Sequence, residues 1–251
     1  MKMTAALHPW HGKKVAFLGD SITDATYLPQ EKKYWQFLEE KLHITPFVYG
    51  IRGRQWNDIP DQAERLFREH GTDADAIIIF AGTNDFKNAV PAGRWHDDRK
   101  EEVCAQGQMV WRLRRMANTD PDTFRGRINR ALALVKDRFV KQQIVLCTPI
   151  HRGYADLGNG NIQPEESFQN DIGMYVDEYV EIIKEAGDIW SVPVIDLFSL
   201  SGLLPVRDGY AQYFHLQDAD RLHPNTAGHA RIAETLYYQL SGLPPDFKNG
   251  F

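Results

Sequence analysis

Three short stretches carry residue types able to cleave an acyl bond. Phe17-Leu18-Gly19-Asp20-Ser21-Ile22-Thr23 runs an apolar segment straight into a turn that presents a serine hydroxyl. Gly82-Thr83-Asn84-Asp85 follows a second apolar segment and offers an amide that donates hydrogen bonds without titrating. Asp220-Arg221-Leu222-His223-Pro224 sets a carboxylate three residues before an imidazole, a spacing that lets a local turn bring Asp220 to one ring nitrogen while the other serves as a base. A nucleophilic serine needs exposure, a base and donors for the developing oxyanion, and the three stretches together supply them. Each alone also has an ordinary structural use: Gly, Asp and Ser form turns, Asp20 can cap a helix, Asn84 can close an Asx turn, and His223 can cap a helix or lie on the surface.

Side chains must be positioned by elements, and the pattern is that of βαβ units on a parallel sheet. Strands are expected at 14–18, 47–51, 76–81, 143–148 and 193–197, the third and fourth nearly continuous apolar runs as in a sheet covered on both faces. Helical spacing of apolar residues marks 34–42, 58–70, 124–140, 174–186 and 226–240, the last entered through Pro224. The chain of 251 residues reads as one domain, 1–251, with an insertion at about 86–121 after the third strand. Smaller excursions at 152–169 and 203–218 join that insertion at the strand ends where open parallel sheets bind ligands. The aromatics of the insertion are expected in a satellite core, and the run Arg112-Leu113-Arg114-Arg115 on a solvated helix face.

The order and spacing of the three stretches resemble the blocks of the SGNH hydrolases, also called the GDSL family of esterases and lipases. Matched block by block, the resemblance implies Ser21 as nucleophile, Asp220 and His223 as its partners, and an oxyanion hole from Ser21, Gly53 and Asn84. Gly53 enters through Tyr49-Gly50-Ile51-Arg52-Gly53, similar to the family's second block; a glycine suits close approach of backbone to a reacting carbonyl. Where many members continue with a small residue and then threonine, this chain has Arg54-Gln55-Trp56, which puts bulk and positive charge beside the site. The family fold implied is a flavodoxin-like α/β/α sandwich with five parallel strands in order 2-1-3-4-5.

The expected activity is ester hydrolysis through an acyl-enzyme, with a short acyl group, acetyl foremost, on a carbohydrate or other polar carrier. Lysophospholipase or thioesterase chemistry is the alternative within the family. A flavodoxin-like module binding phosphate or flavin through Ser21, Thr23 and Thr26 is a different class, and it leaves Asn84 and the Asp220–His223 pair without a role. Substrate contacts are expected from Asp20, Arg54, Trp56, Trp95, His151 and Arg152, with His96 beside Trp95. No cofactor and no metal are expected, since no H-E-x-x-H or comparable cluster occurs. Cys104 and Cys147 are far apart, and Cys147 lies in an apolar run that favours a buried, inert thiol.

A formal charge of -5 without a basic tract argues against nucleic acid as a partner. No apolar stretch of membrane-spanning or leader length is seen, so the cytoplasm is the expected compartment, or an extracytoplasmic one if a leader has been trimmed away. The sequence leaves the oligomeric state open.

Overall fold

A computed structural model describes residues 7–243 and 245; the ends of the expected 1–251 domain, residues 1–6 among them, lie outside the described residues. The elements are β1 (Lys14–Gly19), α1 (Tyr34–Leu42), β2 (Thr45–Val48), α2 (Ile59–His70), β3 (Ala76–Phe80), α3 (Thr83–Lys87), β4 (His96–Ala105), β5 (Gln108–Ala117), α4 (Phe124–Arg138), β6 (Gln143–Cys147), β7 (Ala155–Asp156), β8 (Ile162–Gln163), α5 (Val176–Trp190), β9 (Val194–Ile195), α6 (Leu197–Leu200), β10 (Phe214–Leu216), β11 (Asp220–Pro224) and α7 (Thr226–Leu240).

The main sheet is parallel in the order β2-β1-β3-β6-β9, which is the expected 2-1-3-4-5 once the insertions are set aside. Both faces are covered, as the unbroken apolar strands require. From β1 and β3, Ala16, Leu18, Ile77 and Ile79 pack with α2, α4 and α5, while Val15, Phe17, Ile78 and Phe80 pack with α1 and α7. Alternate residues of each strand thus feed two cores, giving three layers.

Boundaries moved where side chains outside the pattern intervene. The second strand is Thr45–Val48 and not 47–51; beyond it Tyr49 and Ile51 still donate to the Phe17 and Gly19 carbonyls, and Gly50 lies against Thr23, where a Cβ would stand 2.5 Å from the Thr23 Cβ. The fifth shortens to Val194–Ile195, since Asp196 accepts from the Ser199 backbone N–H and starts α6. Helix α5 begins and ends later than expected, at Val176–Trp190, and α4 ends at Arg138.

The insertion holds the largest departure. Arg112 to Arg115 lie on no helix; they belong to β5, paired with β4 through ten antiparallel registers in an exposed ribbon. Gln106 and Gly107 both have positive φ, 51° and 79°, the two-residue turn whose twist matches a hairpin. No satellite core forms there: Trp95 packs on the main core, whereas Trp111 is 57% exposed. A second small sheet, β10-β11-β7-β8, gathers the loops at 152–169 and 203–218 beside the main sheet.

Candidate active site

The turn bearing Ser21 is fixed from both helical layers. Gln62 of α2 accepts from the Gly19 N–H and donates to the Gly19 carbonyl, each at 2.8 Å. From the other layer, Trp35 Nε1 of α1 donates to the Thr23 carbonyl at 3.0 Å, and Thr23 Oγ1 lies 3.0 Å from the Tyr34 hydroxyl. Gly19 cannot be replaced without movement, because a Cβ there would sit 2.3 Å from the Phe80 carbonyl oxygen. The serine therefore leaves β1 with little positional freedom.

Across the sheet edge, Ser21 Oγ lies 3.1 Å from His223 Nε2. His223 Nδ1 lies 2.8 Å from Asp220 Oδ2 and 3.1 Å from Oδ1. Asp220 Oδ1 also accepts from the backbone N–H groups of Leu222 and His223, so the local turn expected from the D-x-x-H spacing closes within β11. Burial alone would push the Asp220 carboxyl up, but the hydrogen bond and charge of His223 and these two N–H groups hold it below the usual carboxylate range. Asp220 is an anion at neutral pH, placed to fix the tautomer of His223 with its proton on Nδ1.

Ser21, Gly53, Asn84 and His223 line one cleft of about 130 Å³. Gly53 has φ +75°, open space where a Cβ would be, and a backbone N–H with no acceptor among the described residues. The Ser21 N–H is likewise without one. Asn84 gives one amide N–H to the Arg54 carbonyl at 2.9 Å, leaving the second to donate elsewhere. The Gly53 loop is stitched to its surroundings by that bond, by Ile51 N–H to the Gly19 carbonyl at 3.2 Å, and by Arg52 N–H to Asp24 Oδ2 at 2.8 Å.

The residues expected to touch substrate sit mostly elsewhere. Trp56 is buried: its Nε1 donates to the Ala81 carbonyl and its backbone N–H to Asp85 Oδ2, so the bulk after Gly53 turns into the core beneath α3. Arg54 is paired with Asp58 at 3.1 Å. Arg152 is buried, donating to the carbonyl and hydroxyl of Thr83 and to Gln163 Oε1, and desolvation lowers its guanidinium to about 10. His151 pairs with Glu166 at 2.6 Å and packs on Phe198. Trp95 donates to Glu185 on the α4–α5 side, and His96 opens β4.

Asp20 is buried beneath the nucleophile turn, where Oδ1 accepts from the Ile22 N–H. Burial and the nearby Asp85 charge push its carboxyl up to about 7, against the Ile22 N–H and Arg152. In place of the expected contacts the cleft is completed by Tyr27, Arg52, Lys87, Asn88, Leu157 and Asn161. Arg52 adjoins Gly53 and Lys87 ends α3, while Tyr27, Asn88, Leu157 and Asn161 fall in loops, a signal that many other residues share.

The model of the GDSL-like Lipase/Acylhydrolase family matches residues 17–231. A crystal structure of a protein from Lactobacillus plantarum is 25% identical, with TM-score 0.73 over 93% of this chain and 98% of that one. A possible lipase from Chitinophaga pinensis is 20% identical, with TM-score 0.69 over 92% and 98%. A catalytic mutant of an acetylxylan esterase from Geobacillus stearothermophilus shares the fold at 18% identity, with TM-score 0.53 over 92% and 94%. No curated protein matches significantly in sequence. No described helix is long and apolar enough to cross a membrane.

Proposed function

The chain belongs to the GDSL-like lipase/acylhydrolase family and is a carboxylic ester hydrolase, and from that premise we propose that it removes short acyl groups, acetyl foremost, from a carbohydrate or other polar carrier through an acyl-enzyme on Ser21. The observation that carries this reading is the unbroken line Ser21 Oγ, His223 imidazole, Asp220 carboxylate at 3.1 and 2.8 Å, opening on a cleft that also holds Gly53 and Asn84.

In this mechanism the Ser21 proton passes to His223 Nε2 as the oxygen attacks the ester carbonyl. The tetrahedral oxyanion takes hydrogen bonds from the Ser21 and Gly53 N–H groups and the free Asn84 N–H, each worth about 3 kcal/mol in comparable sites. Collapse breaks the bond to the carrier alcohol, which leaves with the proton from His223. Water then gives its proton to His223, attacks the acyl-serine, and releases the carboxylic acid and free Ser21. Asp220 stabilises the imidazolium of both steps.

Two features support a short acyl group. The cleft of about 130 Å³ is far smaller than the roughly 300–1,000 Å³ that encloses a drug-sized ligand. Its further lining includes Asn88, Asn161 and Gln163, which suit hydroxyl groups better than an alkyl chain. An acetylated carbohydrate meets both conditions, and the acetylxylan esterase that shares the fold is a precedent for such a carrier.

The test is Ser21→Ala against the parent on p-nitrophenyl acetate, butyrate and octanoate. Turnover is expected to fall by about 10³-fold or more in the variant, with an unchanged melting temperature. In the parent, kcat/KM is expected to decline from acetate to octanoate. Undiminished turnover would overturn the nucleophile; a rise toward octanoate would turn the reading to lipids.

A further inference from the structure

The cleft carries two cations without an acidic partner. Arg52 and Lys87 both line it beside Ser21, and neither stands in an ion pair among the described residues. Other arginines in nearby sequence and space are matched: Arg54 with Asp58, Arg127 with Asp85, Arg125 with Glu185. Asp24 accepts from the backbone N–H groups of Thr26, Tyr27 and Arg52 and from the Thr26 hydroxyl, and forms no ion pair with the Arg52 guanidinium.

Arg52 is also held in place. Its guanidinium carbon lies 4.8 Å from the centroid of the Tyr27 ring, and that ring meets His223 nearly edge-on at 4.9 Å. A stack of imidazole, phenol and guanidinium thus runs from the reacting atoms to the exposed rim. Lys87, at the end of α3, reaches only Asn88 Oδ1 at 3.3 Å. From the 152–169 loop, Asn161 accepts from Gln163 through its carbonyl, which leaves its amide N–H groups to donate. Donors and positive charge gather at this rim on a chain whose formal charge is -5.

We propose that the ester's carrier is an anion, its carboxylate or phosphate group seated between Arg52 and Lys87 while the short acyl group enters the cleft at Ser21. The planar guanidinium suits bidentate capture of either oxyanion, and the ammonium at the end of α3 adds a point charge to the same cleft. The identity of the bond cleaved rests on the Ser21 esterase reading; the anion seat rests on its own geometry.

Three matched substrates test it: a monoacetylated methyl glucoside, the corresponding glucuronoside, and the corresponding 6-phosphate. In the parent, kcat/KM for an anionic ester is expected to exceed that for the neutral one by about tenfold or more, the scale of a charge-assisted hydrogen bond. The preference should shrink in about 0.5 M salt and vanish in Arg52→Gln/Lys87→Gln, while Arg52→Lys retains part of it. Comparing the glucuronoside with the phosphate distinguishes the two anions. A neutral ester cleaved as well as both anionic ones, or a preference that survives in the double variant, overturns the proposal.

If the parent cleaves no ester, p-nitrophenyl acetate included, the esterase reading fails. Calorimetry with methyl glucuronoside and methyl glucose 6-phosphate against methyl glucoside then judges the seat by itself. Tighter binding of an anion that is lost in the double variant upholds it; equal binding of all three overturns it.

Discussion

His223 owes its proposed role to what surrounds it. Asp220 is held ionised by the imidazole and by two backbone N–H groups, so its carboxylate persists to a pH below the usual carboxylate range. Asp220→Asn should keep KM and lower kcat by about 10⁴-fold, since an amide no longer fixes the tautomer. Asn84→Ala should cost about 10²–10³ in kcat, read by the same assay; a loss confined to KM would place Asn84 outside the oxyanion site. Asp20 bears on stability in the opposite sense. The fold keeps a proton on it up to about 7 that the unfolded chain gives up near 4, so stability from this group declines as pH rises through that window. Urea unfolding at pH 5 and pH 8 should show a smaller decline for Asp20→Asn than for the parent; equal declines would show that Asp20 does not titrate there.

The strands and the loops that leave them carry the site as a unit, and here sequence and structure part company in an instructive way. Ser21 and Asn84 could be read to one edge because each follows an apolar strand and a parallel sheet delivers its strand ends there, whereas the Asp220–His223 pair, on β11 of the small antiparallel sheet, was read from its D-x-x-H spacing alone. Trp56 follows the Gly53 stretch and Arg152 the fourth strand, yet both are buried, held by Ala81 and Asp85 in one case and by Thr83 and Gln163 in the other. Trp56 braces the element that presents Asn84 by holding Ala81 and Asp85. Trp56→Ala should destabilise by about 3–5 kcal/mol and Trp56→Phe by less, measured by thermal melting; a parent-like melt for the alanine variant would refute the brace. Tyr27, Arg52, Lys87 and Asn161 were not legible at all. Tyr27 and Asn161 are loop residues with no spacing signal, Lys87 ends α3, and Arg52 adjoins Gly53 without a motif role of its own; only tertiary contacts bring the four together around Ser21.

The molecule as a whole separates a rigid three-layer body from an appended ribbon. Strands β4 and β5 give no residue to either core or to the cleft, and the base of the ribbon is clasped by Asn129, whose amide donates to the carbonyls of Trp95 and Asn118. Replacing 97–116 with a short turn should therefore leave the melting temperature and the turnover of p-nitrophenyl acetate in place; loss of either would give the ribbon a part in the body or the site. The ribbon escaped sequence reading because its turn is Gln106-Gly107, a less familiar pair than Asn-Gly, and because its mixed charges suit a helix face as well as a two-sided strand. The central claim, a single activated serine at the edge of the sheet, is tested most directly by treating the protein with a fluorophosphonate and mapping the adduct by peptide mass spectrometry. One adduct on Ser21, absent from Ser21→Ala and greatly slowed in His223→Ala, is the predicted result; labelling of another serine, or none in an esterase-active sample, would contradict it.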